Sequence, residues 1–253
     1  MTPGPAKISW QGVSKRFGGA AVLDHLDLDV AAGRSLVIIG GSGQGKSVTL
    51  KLALGLMAPD AGAILLDGQD PLAFGGRARR GFYARIGVLF QGAALFDSLS
   101  VWENVAFRLI NADGVSRREA RAKALMALYR VRLGDEVADL YPAKLSGGMQ
   151  KRVGLARAVV ADPEILFFDE PTTGLDPITA GAINELIVDQ VRRLGCTAVS
   201  ITHDLASART IGDEIAMLHQ GQIIWRGDPR DLEWSGNAIV DQFVSGRSQA
   251  ATV

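Results

Sequence analysis

Three short stretches carry residues whose types and spacing can do chemistry. The first, Gly40-Gly41-Ser42-Gly43-Gln44-Gly45-Lys46-Ser47 with Val48 following, fits the pattern G-x-x-x-x-G-K-[ST] in full. Glycines let backbone amides converge on phosphate oxygens with no side chain in the way. A helix opening there adds partial positive charge. Lys46 has the length and charge to reach the outer phosphates of a nucleoside triphosphate, and the Ser47 hydroxyl suits Mg²⁺. The second stretch, Leu145-Ser146-Gly147-Gly148-Met149-Gln150, is a glycine-framed cradle of another type. The third is the apolar run Ile165-Leu166-Phe167-Phe168, closed by Asp169-Glu170. A carboxylate at a strand end, Asp169, can hold a Mg²⁺ shell. Glu170 comes next and faces the other way, because side chains alternate along a strand, which makes it a candidate general base for an attacking water. One triphosphate needs one cradle, so two cradles on one chain suggest a nucleotide gripped from two sides.

These residues need elements to position them. Ser35 to Ile39 is a short apolar run of the kind found in a strand covered on both faces, and it leads into the first loop. Leu50, Leu54 and Met57 then recur at helical spacing. Strands are also expected over 8–17, 21–30, 62–66, 86–90, 165–168 and 198–202, with a late hairpin over 215–218 and 222–225. Ser116 and Glu119 read as a capping box, opening a helix within a helical insert between Gln91 and Ser146. A further helix runs from Gly147 to Val160. Asp176-Pro177 predicts a cap and first residue for a helix ending at Gly195. Residues 231–244 suggest a short helix pair, with Trp234 as a core anchor in preference to a contact with a second copy, and 246–253 a disordered tail. Strands alternating with helices favour an α/β fold with a mostly parallel sheet. There is no internal repeat or low-complexity tract.

Composition narrows the classes. The chain has 253 residues, of which 47% are apolar, enough for a sizeable core. Lysine plus arginine equals aspartate plus glutamate at 27 each, so no overall field draws in nucleic acid. The single cysteine, Cys196, cannot form an internal disulfide and reads as a small core filler. Residues 1–7 lack a secretory pattern, and no apolar run approaches the roughly 20 residues that span a bilayer. The chain is expected in the cytosol, or at a membrane through a partner.

In the order and spacing of these motifs the chain resembles the ATP-binding subunits of ABC transporters over almost its whole length. Leu145 to Gln150 corresponds to that family's signature loop. Gln91, the loop Thr173-Gly174-Leu175-Asp176 and His203 stand where the family has a strand-end glutamine, a loop after the paired acids and a switch histidine. Phe17 matches the aromatic that stacks on adenine, whereas His25 and His219 lack such context and read as structural. The resemblance implies an ABC ATPase fold on a P-loop NTPase plan: a RecA-like core sheet, an antiparallel β subdomain and a helical subdomain. It implies one domain over 1–253, with the helical part near 92–160 and a C-terminal extension over 228–253.

The implied cofactors are ATP and Mg²⁺. Phe17, Gly40 to Val48, Ser146, Gly147, Gly148 and Asp176 would bind nucleotide. Ser47, Gln91 and Asp169 would face the metal, and Glu170, His203 and Gln91 would serve catalysis. Two copies would pair head to tail, each ATP enclosed by Lys46 and Ser47 of one copy and Ser146, Gly147 and Gly148 of the other. The other implied partner is a membrane permease. The small apolar run Gly92-Ala93-Ala94-Leu95-Phe96, together with 148–153, 175–179 and 240–244, resembles the ATPases of Mla-type phospholipid transporters. Those imply a Mce-type lipid-binding subunit, a small soluble accessory subunit, and a place on the cytoplasmic face of the bacterial inner membrane. A small-solute importer, such as one for amino acids, and a soluble ATP-gated clamp are the alternatives.

Overall fold

The structure, a computed structural model, describes residues 6–246. They fall into two compact units: those up to Tyr83 together with those from Thr197 onward, and Ala84–Cys196.

The first unit opens with strands β1 (Ala6–Phe17), β2 (Ala20–Ala31) and β3 (Ser35–Ile39). Helix α1 (Lys46–Ala53), strand β4 (Ala61–Leu66) and helix α2 (Gly76–Tyr83) follow. The second unit holds β5 (Ile86–Leu89), α3 (Val101–Asn111), α4 (Arg117–Arg130), α5 (Gly147–Val159), β6 (Ile165–Asp169) and α6 (Pro177–Leu194). The chain returns to the first unit with β7 (Thr197–Ile201), α7 (Leu205–Ile211), β8 (Glu214–His219), β9 (Gln222–Gly227) and α8 (Ala238–Ser245).

In the first unit β1 sits between β2 and β4 in an antiparallel sheet. Its inward residues Ile8, Trp10 and Val13 are fully buried with Leu23, Leu26 and Leu28 of β2. The Trp10 indole N–H donates to the Thr49 carbonyl at 3.3 Å, so this large ring is buried without stranding its one polar atom. Strand β3 has parallel neighbours on both sides, β7 and β8, and β9 adds antiparallel to β8. All five residues of β3 are buried, as its unbroken apolar run requires. In the second unit β5 and β6 pair in parallel. Phe167 and Phe168 of β6 are wholly buried, as are Val153, Leu155 and Ala156 of α5.

Each expected strand is present, with ends moved by no more than two residues. Helix α6 has the expected ends: Asp176 accepts N–H bonds from Ile178 and Thr179 at 3.1 and 3.0 Å, and Gly195 closes it with φ 61°. Three expectations need correction. Helix α1 stops before Met57, because Gly55 turns left-handed (φ 65°) under the Tyr83 ring. The capping box at Ser116 is half formed. Ser116 accepts the Glu119 N–H at 3.3 Å, but the Glu119 carboxylate pairs with Lys123 at 3.0 Å. The complete reach-back belongs to α3, where Glu103 accepts both the N–H and the hydroxyl of Ser100 at 3.0 and 2.8 Å. Trp234 is not core. It is 86% exposed at the end of a 3-10 segment, Pro229–Trp234, in which Leu232 takes the buried position. That segment with α8 stands where a helix pair was expected. The expected disordered tail over 246–253 lies almost wholly outside the described residues. Among the described residues no helix is long and apolar enough to cross a membrane.

Candidate functional site

In the first unit the chain leaves β3 at Ile39, loops through Gly40 to Gly45, and enters α1 at Lys46. The loop demands glycine at its two ends. Gly40 has φ 150°, and a Cβ there would lie 2.3 Å from the Leu218 carbonyl oxygen. Gly45 has φ 103°, and its Cβ would lie 2.8 Å from the Val22 carbonyl oxygen. Gly43 also has positive φ but faces open space. Gln44 fastens the loop to the β8–β9 turn, its side-chain carbonyl accepting the Gln220 N–H at 2.6 Å.

Lys46 is buried and donates to the carbonyls of Gly40 and Gly41 at 2.8 and 2.9 Å. Its charge is therefore held over the loop. Helix α1 has no side-chain cap and no acidic residue in its first turn. A helix start left in that state offers N–H groups and partial positive charge to an anion. Ser42 and Ser47 are exposed and Val48 is half-buried. Phe17, at the end of β1, is 48% exposed, with the Lys15 ammonium 5.7 Å from its ring centroid. An exposed aromatic face of this kind can stack on a base.

His203 is exposed and immediately follows β7 by way of Thr202. Its backbone is fixed by what comes next. The Thr202 hydroxyl accepts the Asp204 N–H at 3.0 Å, and Asp204 caps α7 through the N–H groups of Ala206 and Ser207. His25 is exposed and bonded to Asp24 at 2.9 Å.

In the second unit Asp169 ends β6 and is 9% exposed. Glu170 takes a left-handed backbone, φ 47°, uncommon for a residue with a side chain. The Thr173 hydroxyl donates to its carboxylate at 2.9 Å. Gln91, after β5, is exposed. Both Gln91 and Glu170 are brought to one group, the Lys151 ammonium of α5, which donates to the Gln91 carbonyl and to the Glu170 carbonyl, the latter at 3.1 Å. Burial pushes the Lys151 pKa down, while the Asp169 and Glu170 charges oppose that.

Ser146 caps α5, accepting the Met149 N–H at 3.3 Å, and again no acid sits in the first turn. Gly148 must be small, since a Cβ would lie 2.8 Å from Thr179 Cγ2. The hydroxyl and N–H of Thr179, then the N–H of Ile178, hold the exposed Asp176 carboxyl below its ordinary range. Sequence reading gave no role to Lys151, Thr173 or Arg157. For Lys151 a signal existed: it shares the stripe of Gly154, Leu155 and Ala158 at i, i+3, i+4 and i+7, where a charge has no reason to be buried.

Two helix starts with no acid in the first turn, α1 without a side-chain cap and α5 capped by Ser146, thus stand on one chain, one in each unit. The ABC transporter family matches residues 23–173. The chain belongs to that family. It is the ATP-binding subunit of an ABC transporter, an ATPase with the family's cassette fold. A probable ribonucleotide transport ATP-binding protein, mkl, of Mycobacterium leprae is 38% identical over 95% of this chain and 69% of its own length. A methionine import ATP-binding protein, MetN, of Caulobacter vibrioides is 40% identical over 87% of this chain and 66% of its own. Among solved structures, the dimeric ATP-binding cassette MJ0796 bound to ADP and Pi superposes with a TM-score of 0.80. It shares 31% identity over 88% of this chain and 99% of its own.

Proposed function

We propose that this ABC ATPase drives phospholipid transport between the inner and outer membranes of a bacterium. In that reading it works as a head-to-tail pair of copies, bound to a permease at the cytoplasmic face of the inner membrane. A Mce-type lipid-binding subunit and a small soluble accessory subunit complete the assembly, and nucleic acid is no partner. The whole chain acts as one cassette domain, with its helical part near 92–160 and an extension from 228.

The observation that carries the ATPase reading is the uncapped start of α1 with the Lys46 ammonium held over its loop. Backbone amides of Gly41 to Val48 and the Lys46 ammonium bind phosphate oxygens, and Phe17 orients the base by stacking. Ser146, Gly147 and Gly148 of the second copy bind the terminal phosphate from the other side. Glu170 accepts the proton of the attacking water, and His203 contacts the terminal phosphate. Asp176 joins the two centres, and the neighbouring Ile178, 87% exposed, supports a covered role for this corner. Ser47, Gln91 and Asp169 offer a hydroxyl, an amide carbonyl and a carboxylate, the hard oxygen donors Mg²⁺ accepts. When bound, Mg²⁺ supplies charge neutralisation to the phosphates.

The lipid cargo is supported by the small apolar segment after Gln91 and by the exposed aromatic pair Phe96 and Phe107, whose centroids are 4.5 Å apart. The second reading, a small-solute importer, is favoured by the identity with MetN, a methionine import protein.

The Glu170→Gln variant tests the enzyme. It is expected to keep ATP binding, lose turnover by at least about a hundredfold, and favour a closed dimer. Unchanged turnover removes Glu170 from the role. The cargo is tested with the complex that survives mild detergent extraction. Movement of labelled phospholipid between vesicles supports the first reading, and amino-acid uptake without it the second.

A further inference from the structure

We propose that Lys151 is a positioning residue: its buried ammonium bolts the peptide of Glu170, and with it the peptide of Gln91, to the helix that opens at Ser146. The inference rests on the ATPase reading for its effect on catalysis, but the bolt itself is a matter of geometry.

Lys151 is 6% exposed on α5, and its ammonium donates to two backbone carbonyls, those of Gln91 and Glu170. The first follows β5 and the second follows β6, so one cation closes the ends of two adjacent parallel strands. Glu170 needs such a hold, because a left-handed backbone at a non-glycine residue is strained and persists only when its surroundings fix it. Gripping the carbonyl oxygen fixes the peptide plane, and the Thr173 hydroxyl fixes the carboxylate from the other end. The direction of the Glu170 side chain is thereby set from both sides.

A second cation on the same helix works alike. The half-buried Arg157 donates to the carbonyls of Ala93 and Ala94 at 2.5 and 2.7 Å, and both alanines are left-handed at φ 58° and 47°. Helix α5 thus carries two cations directed at backbone oxygens in the segments that follow β5 and β6. An ammonium serves here better than an amide, since a charge-assisted donor is roughly twice as strong and Lys has three N–H groups to share. The consequence is that any shift of the Ser146 end of α5 reaches Glu170 without passing through a loop.

Lys151→Met, near in shape and without donors, and Lys151→Arg, which keeps charge and donors, form the test, in the full chain with its membrane partners. Lys151→Met is expected to lower kcat by roughly tenfold to a hundredfold, the range for a misplaced reacting group, with KM for ATP within about threefold. Lys151→Arg is expected to recover most of that loss. Hydrogen exchange of the peptide amides at 91–94 and 169–173 is expected to speed up in Lys151→Met, while those of α1 stay as in the wild type. Wild-type kcat in Lys151→Met, no recovery in Lys151→Arg, or unchanged exchange at 169–173 would each overturn the proposal. If Lys151→Met does not fold, Lys151→Gln, with two N–H donors and no charge, carries both measurements, with the same results deciding. A wild-type complex that hydrolyses no ATP would sink the ATPase reading instead, and the exchange data would still decide whether the bolt exists.

Discussion

Lys46 and Lys151 are both buried lysines whose ammonium groups rest on backbone carbonyls, yet only Lys46 has its purpose written in the residues around it, the stripe of α5 marking Lys151 as out of place without naming its partners. Lys46 stands inside a spacing that almost nothing but a phosphate cradle demands. Lys151 stands on a helix among apolar neighbours, and its partners come from segments roughly 20 and 60 positions away. Local pattern has no access to such partners. Cys196 was legible for the opposite reason, since a small side chain opening an apolar run needs no partner. Its thiol is buried, and burial pushes its pKa from 9.0 up to about 11. A raised thiol pKa means a protonated, unreactive sulfur in the folded chain, with reactivity gained only as pH rises through the folded value or on unfolding. The native protein at pH 8 is therefore expected to resist iodoacetamide for hours, and the denatured protein to react fully. Mass spectrometry reads both, and rapid native labelling would show that the sulfur is not enclosed. Trp234 failed in the same place where Cys196 succeeded: its size argued for the core, but Leu232 already fills the one inward position of a segment six residues long.

Elements bounded by local chemistry were read well, and those bounded by distant chemistry were not. Asp176 caps α6 with its own carboxylate, and Pro177 and Gly195 bound it through their backbones, so the sequence shows both ends. Ser100 and Glu103, to which sequence reading gave no role, stand at the same spacing as Ser116 and Glu119. The difference lies in what else competes for the glutamate. Lys123 draws Glu119 along its own helix, whereas Arg117, from the next helix, reaches Glu103 and leaves it on Ser100. Arg117 and Arg121 also lie 5.0 and 5.5 Å from the Trp102 ring, so the start of α3 is a small electrostatic joint. The Arg117 guanidinium, then the Ser100 N–H and hydroxyl, hold the Glu103 carboxyl below its ordinary value of 4.5. A depressed carboxyl contributes stability above its unfolded pKa and loses it as pH falls through the folded one. Glu103→Ala is thus expected to lower unfolding free energy by about 1 kcal/mol at pH 7. The difference from wild type should shrink as the medium is taken well below pH 4.5. Urea titrations at two pH values check it, and a gap that widens in acid would show that Glu103 acts otherwise.

At the scale of the whole molecule the question is why one chain carries two glycine-framed cradles in two different units. The solved relatives include dimeric cassettes, one holding ADP and Pi. With equal numbers of acidic and basic side chains, 27 each, the chain has no net charge to oppose self-association. If each centre takes Lys46 from one copy and Ser146 from the other, a defect in either residue kills both centres of a homodimer but only one centre of a mixed pair. Lys46→Ala and Ser146→Arg proteins should therefore be inactive alone and regain activity when mixed. Random assortment gives half mixed pairs with one intact centre each, so roughly a quarter of the wild-type centres return. The measurement is ATP turnover against mixing ratio, at concentrations where both variants are shown to be folded and dimeric. A rise and fall with its maximum at equal amounts identifies a shared centre. Turnover by the Ser146→Arg protein alone at the wild-type rate, or mixtures that stay silent while mixed pairs demonstrably form, would mean that each copy closes its own centre. The second cradle would then need another ligand.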